Sequence, residues 1–163
     1  MNKLLKKMMV ALLSLGLAQA VWADDVSDFQ ETLQVAKQGN AQAQFNLGVM
    51  YANGQGIRQD DALAAQWYRR AAEQGHAQAQ NNLGVMYAQG QGIRQDDAQA
   101  VQWFRRAAEQ GYADAQVALG AMYANGRGIR QNHKSAKEWF GKACDNGLQR
   151  GCDTYRKFNQ AGY

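Results

Sequence analysis

The sequence predicts an all-α protein, a right-handed α-solenoid of stacked antiparallel helix pairs. Three observations predict it. A 36-residue unit recurs, each unit holds two stretches with helical spacing of apolar residues, and a glycine-rich turn separates the two. Residues 40–75 and 76–111 agree at 30 of 36 positions, and residues 76–111 and 112–147 at 18 of 36. Leu47-Gly48 returns as Leu83-Gly84 and Leu119-Gly120, Met50-Tyr51 as Met86-Tyr87 and Met122-Tyr123, and Trp67 as Trp103 and Trp139. One helix pair cannot bury both of its apolar faces; stacked copies bury them in a continuous core.

Residues 1–23 read as a secretory signal peptide. Lys3, Lys6 and Lys7 precede the apolar run Met8–Leu17, which is too short to span a bilayer as an ordinary helix. Small residues follow, so cleavage fits after Ala20 or Ala23, and Ala23 is preferred. Removing that segment takes away three lysines and no acid, so the formal charge falls from +4 to +1. A near-neutral protein lacks the electrostatic footprint of nucleic-acid binding. No later run is apolar enough to cross a membrane. The expected product is exported, periplasmic or secreted, with no membrane span after cleavage.

Residues 24–163 form the solenoid. Residues 24–39 match the second half of a repeat, because Asp24-Asp25 and Gly39 fall one period before Asp60-Asp61 and Gly75. The full repeats are 40–75, 76–111 and 112–147, and residues 148–163 cap the C-terminal end. In each repeat helix A covers Ala41–Ala52 or its equivalent, with the stripe Ala43, Leu47, Met50 and Tyr51. Helix B covers Asp61–Gln74, with Ala64, Trp67, Tyr68 and Ala71. The Asp60 carboxylate can accept from unpaired first-turn N–H groups of helix B. Gly75 suits the left-handed position that ends that helix. Gly48 inside helix A costs about 1 kcal/mol against Ala, so its recurrence predicts a close neighbour there. Trp67, Trp103 and Trp139 share one repeat position, which predicts core.

Gly54-Gln-Gly56 recurs as Gly90-Gln-Gly92 and Gly126-Arg-Gly128. A dinucleotide loop requires a preceding strand and a third glycine, and a phosphate loop requires Gly-Lys-Ser/Thr; neither pattern is here. The glycines read instead as a turn that supplies positive φ. Ile57, Ile93 and Ile129 then plug the seam between helices.

The run Ala41-Gln-Ala-Gln-Phe-Asn-Leu-Gly-Val-Met-Tyr-Ala-Asn-Gly-Gln-Gly-Ile57, followed by Asp60 through Gly75, resembles the Sel1-like repeat family, relatives of the tetratricopeptide repeats. The resemblance covers essentially all of the chain after residue 23. It implies an α-solenoid that binds other proteins or peptides as an adaptor. One departure is that Arg58, Arg94 and Arg130 stand where the family often has proline.

Cys144 takes the repeat position of Ala72 and Ala108, and Cys152 that of Gln44, Gln80 and Gln116. Facing helices can bring these positions together, and an oxidising compartment favours a structural disulfide. The spacing also resembles a cysteine-rich branch of the family in which every repeat is bridged and some members bind or hydrolyse β-lactams; here only the last repeat has the pair. His76 and His133 occupy different repeat positions and read as surface residues, and metal sites need clustered ligands. No Ser-x-x-Lys or Gly-x-Ser-x-Gly nucleophile motif is present. The reading is therefore no catalytic residue, no metal and no cofactor.

Repeats this similar expose the positions that the shared core does not dictate. On helix A they are Phe45/Asn81/Val117, Asn46/Asn82/Ala118, Val49/Val85/Ala121 and Asn53/Gln89/Asn125. Phe45, Asn46, Val49, Asn53, Asn81, Asn82, Val85, Gln89 and Val117 are the candidate partner-binding residues, lining the concave groove for a protein or an extended peptide. A second row, Arg69-Arg70, Arg105-Arg106 and Gly141-Lys142, reads as a solvated face paired with Glu73 and Glu109. The leading expectation is an exported, non-enzymatic binding scaffold. The alternatives are a protein that binds or hydrolyses cell-wall peptides or β-lactams, and an immunity protein that neutralises a toxic effector.

Overall fold

The computed structural model describes residues 24–163; the signal-like segment and its cleavage sites lie outside the described residues. These residues form eight helices and no strand. They are α1 (24–37), α2 (Ala41–Asn53), α3 (Asp61–Glu73), α4 (Ala77–Gln89), α5 (Asp97–Glu109), α6 (Ala113–Asn125), α7 (His133–Asp145) and α8 (Gln149–Gln160). From α2 onward each helix packs mainly against its neighbours in sequence. The result is an all-α helical repeat solenoid. Helices α2, α4 and α6 are the A helices, and α3, α5 and α7 the B helices.

Local chemistry sets the boundaries. Asp60, Asp96 and Asn132 cap the B helices by accepting from the third residue onward: Leu63 N at 2.9 Å, Gln99 N at 3.0 Å and Ser135 N at 3.0 Å. Each A helix ends at a left-handed glycine, with φ of 69° at Gly54 and Gly90 and 66° at Gly126. The second glycine of each turn has a further reason to be glycine. A Cβ on Gly92 would collide with the main-chain carbonyl of Asp61, and one on Gly128 with that of Asp97. The turn of one repeat therefore rests directly on the start of the previous B helix.

The core runs between the helices. Leu47, Leu83 and Leu119 are fully buried, and burying a leucine is worth about 1.5–3 kcal/mol. Ala64, Trp67, Tyr68 and Ala71 are buried as the helix-B stripe requires. Tyr68, Phe104 and Phe140 lie against Gly48, Gly84 and Gly120; a Cβ on Gly48 would sit 2.6 Å from the Tyr68 ring. Ile57, Ile93 and Ile129 each pack against a core cluster. Trp67 and Trp103 are buried, whereas Trp139 in the last repeat is half-buried.

A polar ladder crosses this core. Gln44, Gln80 and Gln116 are buried. Each donates its Nε2 to a carbonyl near the end of the preceding B-type helix, those of Ala36, Ala72 and Ala108, at 3.0–3.2 Å. Each also accepts at Oε1, from Gln74, Gln110 and Asn146 respectively, at 2.6–2.9 Å. At the fourth rung Cys152 replaces the glutamine and Cys144 the alanine. There a disulfide with a Cα–Cα distance of 4.4 Å joins α7 to α8.

The arginine row differs from expectation. Among the described residues the ion pairs are Arg127–Asp97, Arg150–Asp114 and Arg156–Asp153, and neither Glu73 nor Glu109 takes part. The cations lie on aromatic rings instead. Arg70 sits 4.3 Å above Trp67, Arg106 4.5 Å above Trp103 and Lys142 4.1 Å above Trp139. Arg69 and Arg105 donate to the hydroxyls of Tyr87 and Tyr123. A ring face offers a fixed, partly desolvated partner, while a mobile exposed carboxylate gains little.

Candidate functional site

The candidate groove residues are carried by the A helices. Phe45 and Val49 are half-buried and pack on the α3–α4 core, whereas Asn46 and Asn53 are exposed. Asn81, Asn82, Val85 and Val117 are half-buried, and Gln89 is exposed at the end of α4. Val85 packs on the next core cluster. These positions repeat at 36-residue intervals along α2, α4 and α6.

The structure brings Phe45, Asn46 and Val49 together in a recess of about 400 Å³. Its other wall is α1, through Asp28, Glu31 and Thr32, which were not among the sequence candidates. A signal for them exists in the sequence. They fall one period before Ala64, Trp67 and Tyr68, so they are polar residues at core positions. The recess therefore sets Phe45, Val49 and Met50, with Asn46 among them, on its α2 side against two acids on its α1 side.

His76 links α2 to the start of α4. Its ring stacks on Phe45, with centroids 4.6 Å apart. Nδ1 accepts from the Ala79 amide at 3.3 Å and caps α4, while Nε2 lies 3.1 Å from the Gln42 side-chain oxygen. Both contacts suit the neutral ring with its proton on Nε2. Burial lowers the His76 pKa, and a backbone hydrogen bond opposes that shift. Tyr68, under Phe45, is shifted the other way. Burial raises its pKa, a hydrogen bond with Asn82 lowers it, and Asp61 raises it.

The two cysteines are both in the disulfide, so neither is a free thiol. His133 stacks on Tyr163, with centroids 4.3 Å apart. Among the described residues no three His, Cys, Asp or Glu side chains are grouped to hold a metal ion. No described helix is long and apolar enough to cross a membrane.

The Sel1 repeat profile matches residues 41–76, 77–112 and 113–148. The chain belongs to the Sel1 repeat family. Solved Sel1 structures have the same fold. A Sel1 repeat protein from Oxalobacter formigenes is 35% identical with a TM-score of 0.81, over 93% of this chain and 62% of that one. A protective antigen of uropathogenic Escherichia coli, described as displaying an SLR fold, is 33% identical with a TM-score of 0.69, over 82% of this chain and 36% of that one. Cysteine-rich protein B of Helicobacter pylori shares the fold at 22% identity and a TM-score of 0.66, over 79% of this chain and 96% of that one. This Sel1 chain thus spans less than two thirds of the length of the first two. No curated protein sequence matches it significantly.

Proposed function

We propose that this Sel1 protein is an exported, non-enzymatic scaffold that binds a protein or extended peptide along the groove of its A helices. One observation carries the reading. Between repeats that agree at 30 of 36 positions, two of the six differences, Phe45/Asn81 and Asn53/Gln89, fall on one stripe of helix A outside the buried Leu47 face. Amides at 46, 53, 81, 82 and 89 can pair with a peptide backbone, and Phe45, Val49, Val85 and Val117 offer apolar contacts between them. Such surfaces are how stacked-repeat proteins bind. The Cys144–Cys152 bond supports export, because disulfides persist in oxidising compartments. The protein would act in the cell envelope or at a host surface.

The test is crosslinking in native cells, followed by purification and mass spectrometry. A single partner at near-equal amount, lost in Phe45→Glu, Asn82→Lys or Val85→Arg variants, supports the reading. Absence of a specific partner in several growth conditions, or retention of the partner by all three variants, overturns it.

A further inference from the structure

A row of arginines follows the edge where the A helices hand over to the B helices. In the second full repeat Arg94 stands in the turn. It shares with Arg69 of α3 a recess of about 700 Å³, with Tyr87, Ile93, Asp96 and Gln99 among its walls. Arg69 donates to the Tyr87 hydroxyl at 2.5 Å. That bond uses one of the five guanidinium donors and fixes the direction of the others. One period on, Arg105 donates to the Tyr123 hydroxyl at 3.0 Å, and Ile129 and Arg130 occupy the turn. The constellation is thus built twice. The first full repeat does not build it: Arg58 stands in the turn, but Leu33 takes the position of Arg69.

These arginines are not paired with acids. None of Arg69, Arg94, Arg105 and Arg130 takes part in an ion pair among the described residues. Arg69, Arg94 and Arg130 are exposed, and Arg105 is half-buried. Asp96, the one carboxylate of the recess, accepts from the Gln99 amide that it caps, at 3.0 Å. Glu73 lines the adjoining recess with Arg69 but forms no ion pair with it. At the next repeat Asn132 does the capping with a neutral amide, so the acid is lost along the row while the arginines stay. Arg58 and Arg94 are exposed with further helices stacked after them, so this edge is open inside the solenoid, whatever precedes or follows.

We propose that this edge binds an acidic, extended segment of another protein, with carboxylates seated first on the Arg69–Arg94 pair and then on the Arg105–Arg130 pair. A guanidinium fork meets a carboxylate with two parallel N–H···O bonds, and Arg69 and Arg105 are held in direction by their tyrosines. Cation pairs set one repeat apart suit a chain with acids at intervals. The edge does not fit a membrane surface. The exposed large apolar residues among those described are Val26, Val35 and Tyr163, and none lies on it. Nor does it fit a nucleic acid, because residues 24–163 carry a formal charge of only +1. The site shares no residue with the candidate stripe on the A helices and is a second surface beyond that groove.

The test is fluorescence anisotropy with protein expressed from the full-length gene and a fluorescent peptide of alternating glutamate and glycine. It is run at about 0.1 M salt, where the Debye length is about 10 Å. The wild type binds the peptide saturably, loses it as salt rises further, and does not bind the glutamine–glycine counterpart. Arg94→Glu with Arg130→Glu weakens binding about tenfold, the scale of two exposed pairs lost and made repulsive, with an unchanged melting temperature. Arg94→Lys with Arg130→Lys keeps the charge and loses the fork, so it weakens binding less. Arg58→Glu makes the same charge change at the same repeat position outside the two pairs, and keeps the affinity within about twofold. A wild type that does not bind the acidic peptide, a loss in Arg58→Glu as large as in the double glutamate variant, or tighter binding to phosphatidylglycerol vesicles or a sulfated polysaccharide than to the peptide would overturn the proposal. Val85→Arg, which tests the groove, leaves peptide binding intact, so the two readings fail separately.

Discussion

Single residues decide how closely the helices approach. Gly84 lies under the Phe104 ring, with an added Cβ 2.7 Å from ring carbons. Gly84→Ala gains about 1 kcal/mol of helix propensity but overpacks a buried ring at a cost of about 1–3 kcal/mol. The expected result is a net loss of stability, read as a lower midpoint in urea. His76 gives a second residue-scale prediction. Its folded pKa is lowered, chiefly by burial, so the neutral ring is the form that the fold favours. The stability it adds is present above the unfolded histidine value, about 6.5, and is lost as pH falls through the lower folded value. Protonating Nδ1 also removes the acceptor that caps α4. His76→Asn should flatten this pH dependence, because Asn40 caps α2 in the same way through its oxygen. Thermal melts of both proteins across pH 5–8 check it, and equal slopes would count against the assignment.

Among the elements, the disulfide matters most to α8. That helix packs mainly on α7, and Cys152 takes the place of a ladder glutamine. Replacing Cys144 and Cys152 with serine should cost about 2–4 kcal/mol, concentrated at α8. Hydrogen exchange should rise across Gln149–Gln160 while α4 and α5 stay protected; a uniform rise would argue against a local staple. Much of this was legible in the sequence. The repeat period, the glycine turns, the capping aspartates and the cysteine pair all follow from local chemistry and spacing. The partners of Arg69 and Arg70 were not, because i+3 and i+4 counting sees only the same helix. Tyr87 lies 18 residues from Arg69, on another helix. The acidic wall of the recess was missed for a similar reason: Asp28 and Glu31 acquire meaning only when α1 is set beside α2.

At the scale of the whole molecule, stability is a sum of nearest-neighbour interfaces. The interfaces are not equally finished. Arg127 bridges to both oxygens of Asp97 and to the Ala88 carbonyl, whereas its counterpart Gln91 reaches only Asp61 Oδ2, at 3.4 Å. Asp61 Oδ1 is buried with no partner. Gln91→Arg should therefore stabilise the protein by about 0.2–1 kcal/mol, the range for a partly exposed ion pair. Denaturant unfolding measures it directly, and Gln91→Met, which cannot pair, should give no such gain.

Because helices touch mainly their neighbours in sequence, the fold has a consequence for its gene. Residues 40–75 and 76–111 agree at 30 of 36 positions, so one unit can stand in for the other. Excision of 36 codons would join Gly75 to Tyr112 and set α6 beside α3. Gln116 would then meet the Ala72 carbonyl, and Arg127 would meet Asp61. Both of these contacts are of a kind already present in the chain. A lineage can thus shorten or lengthen this protein one helix pair at a time without first passing through an unfolded ancestor.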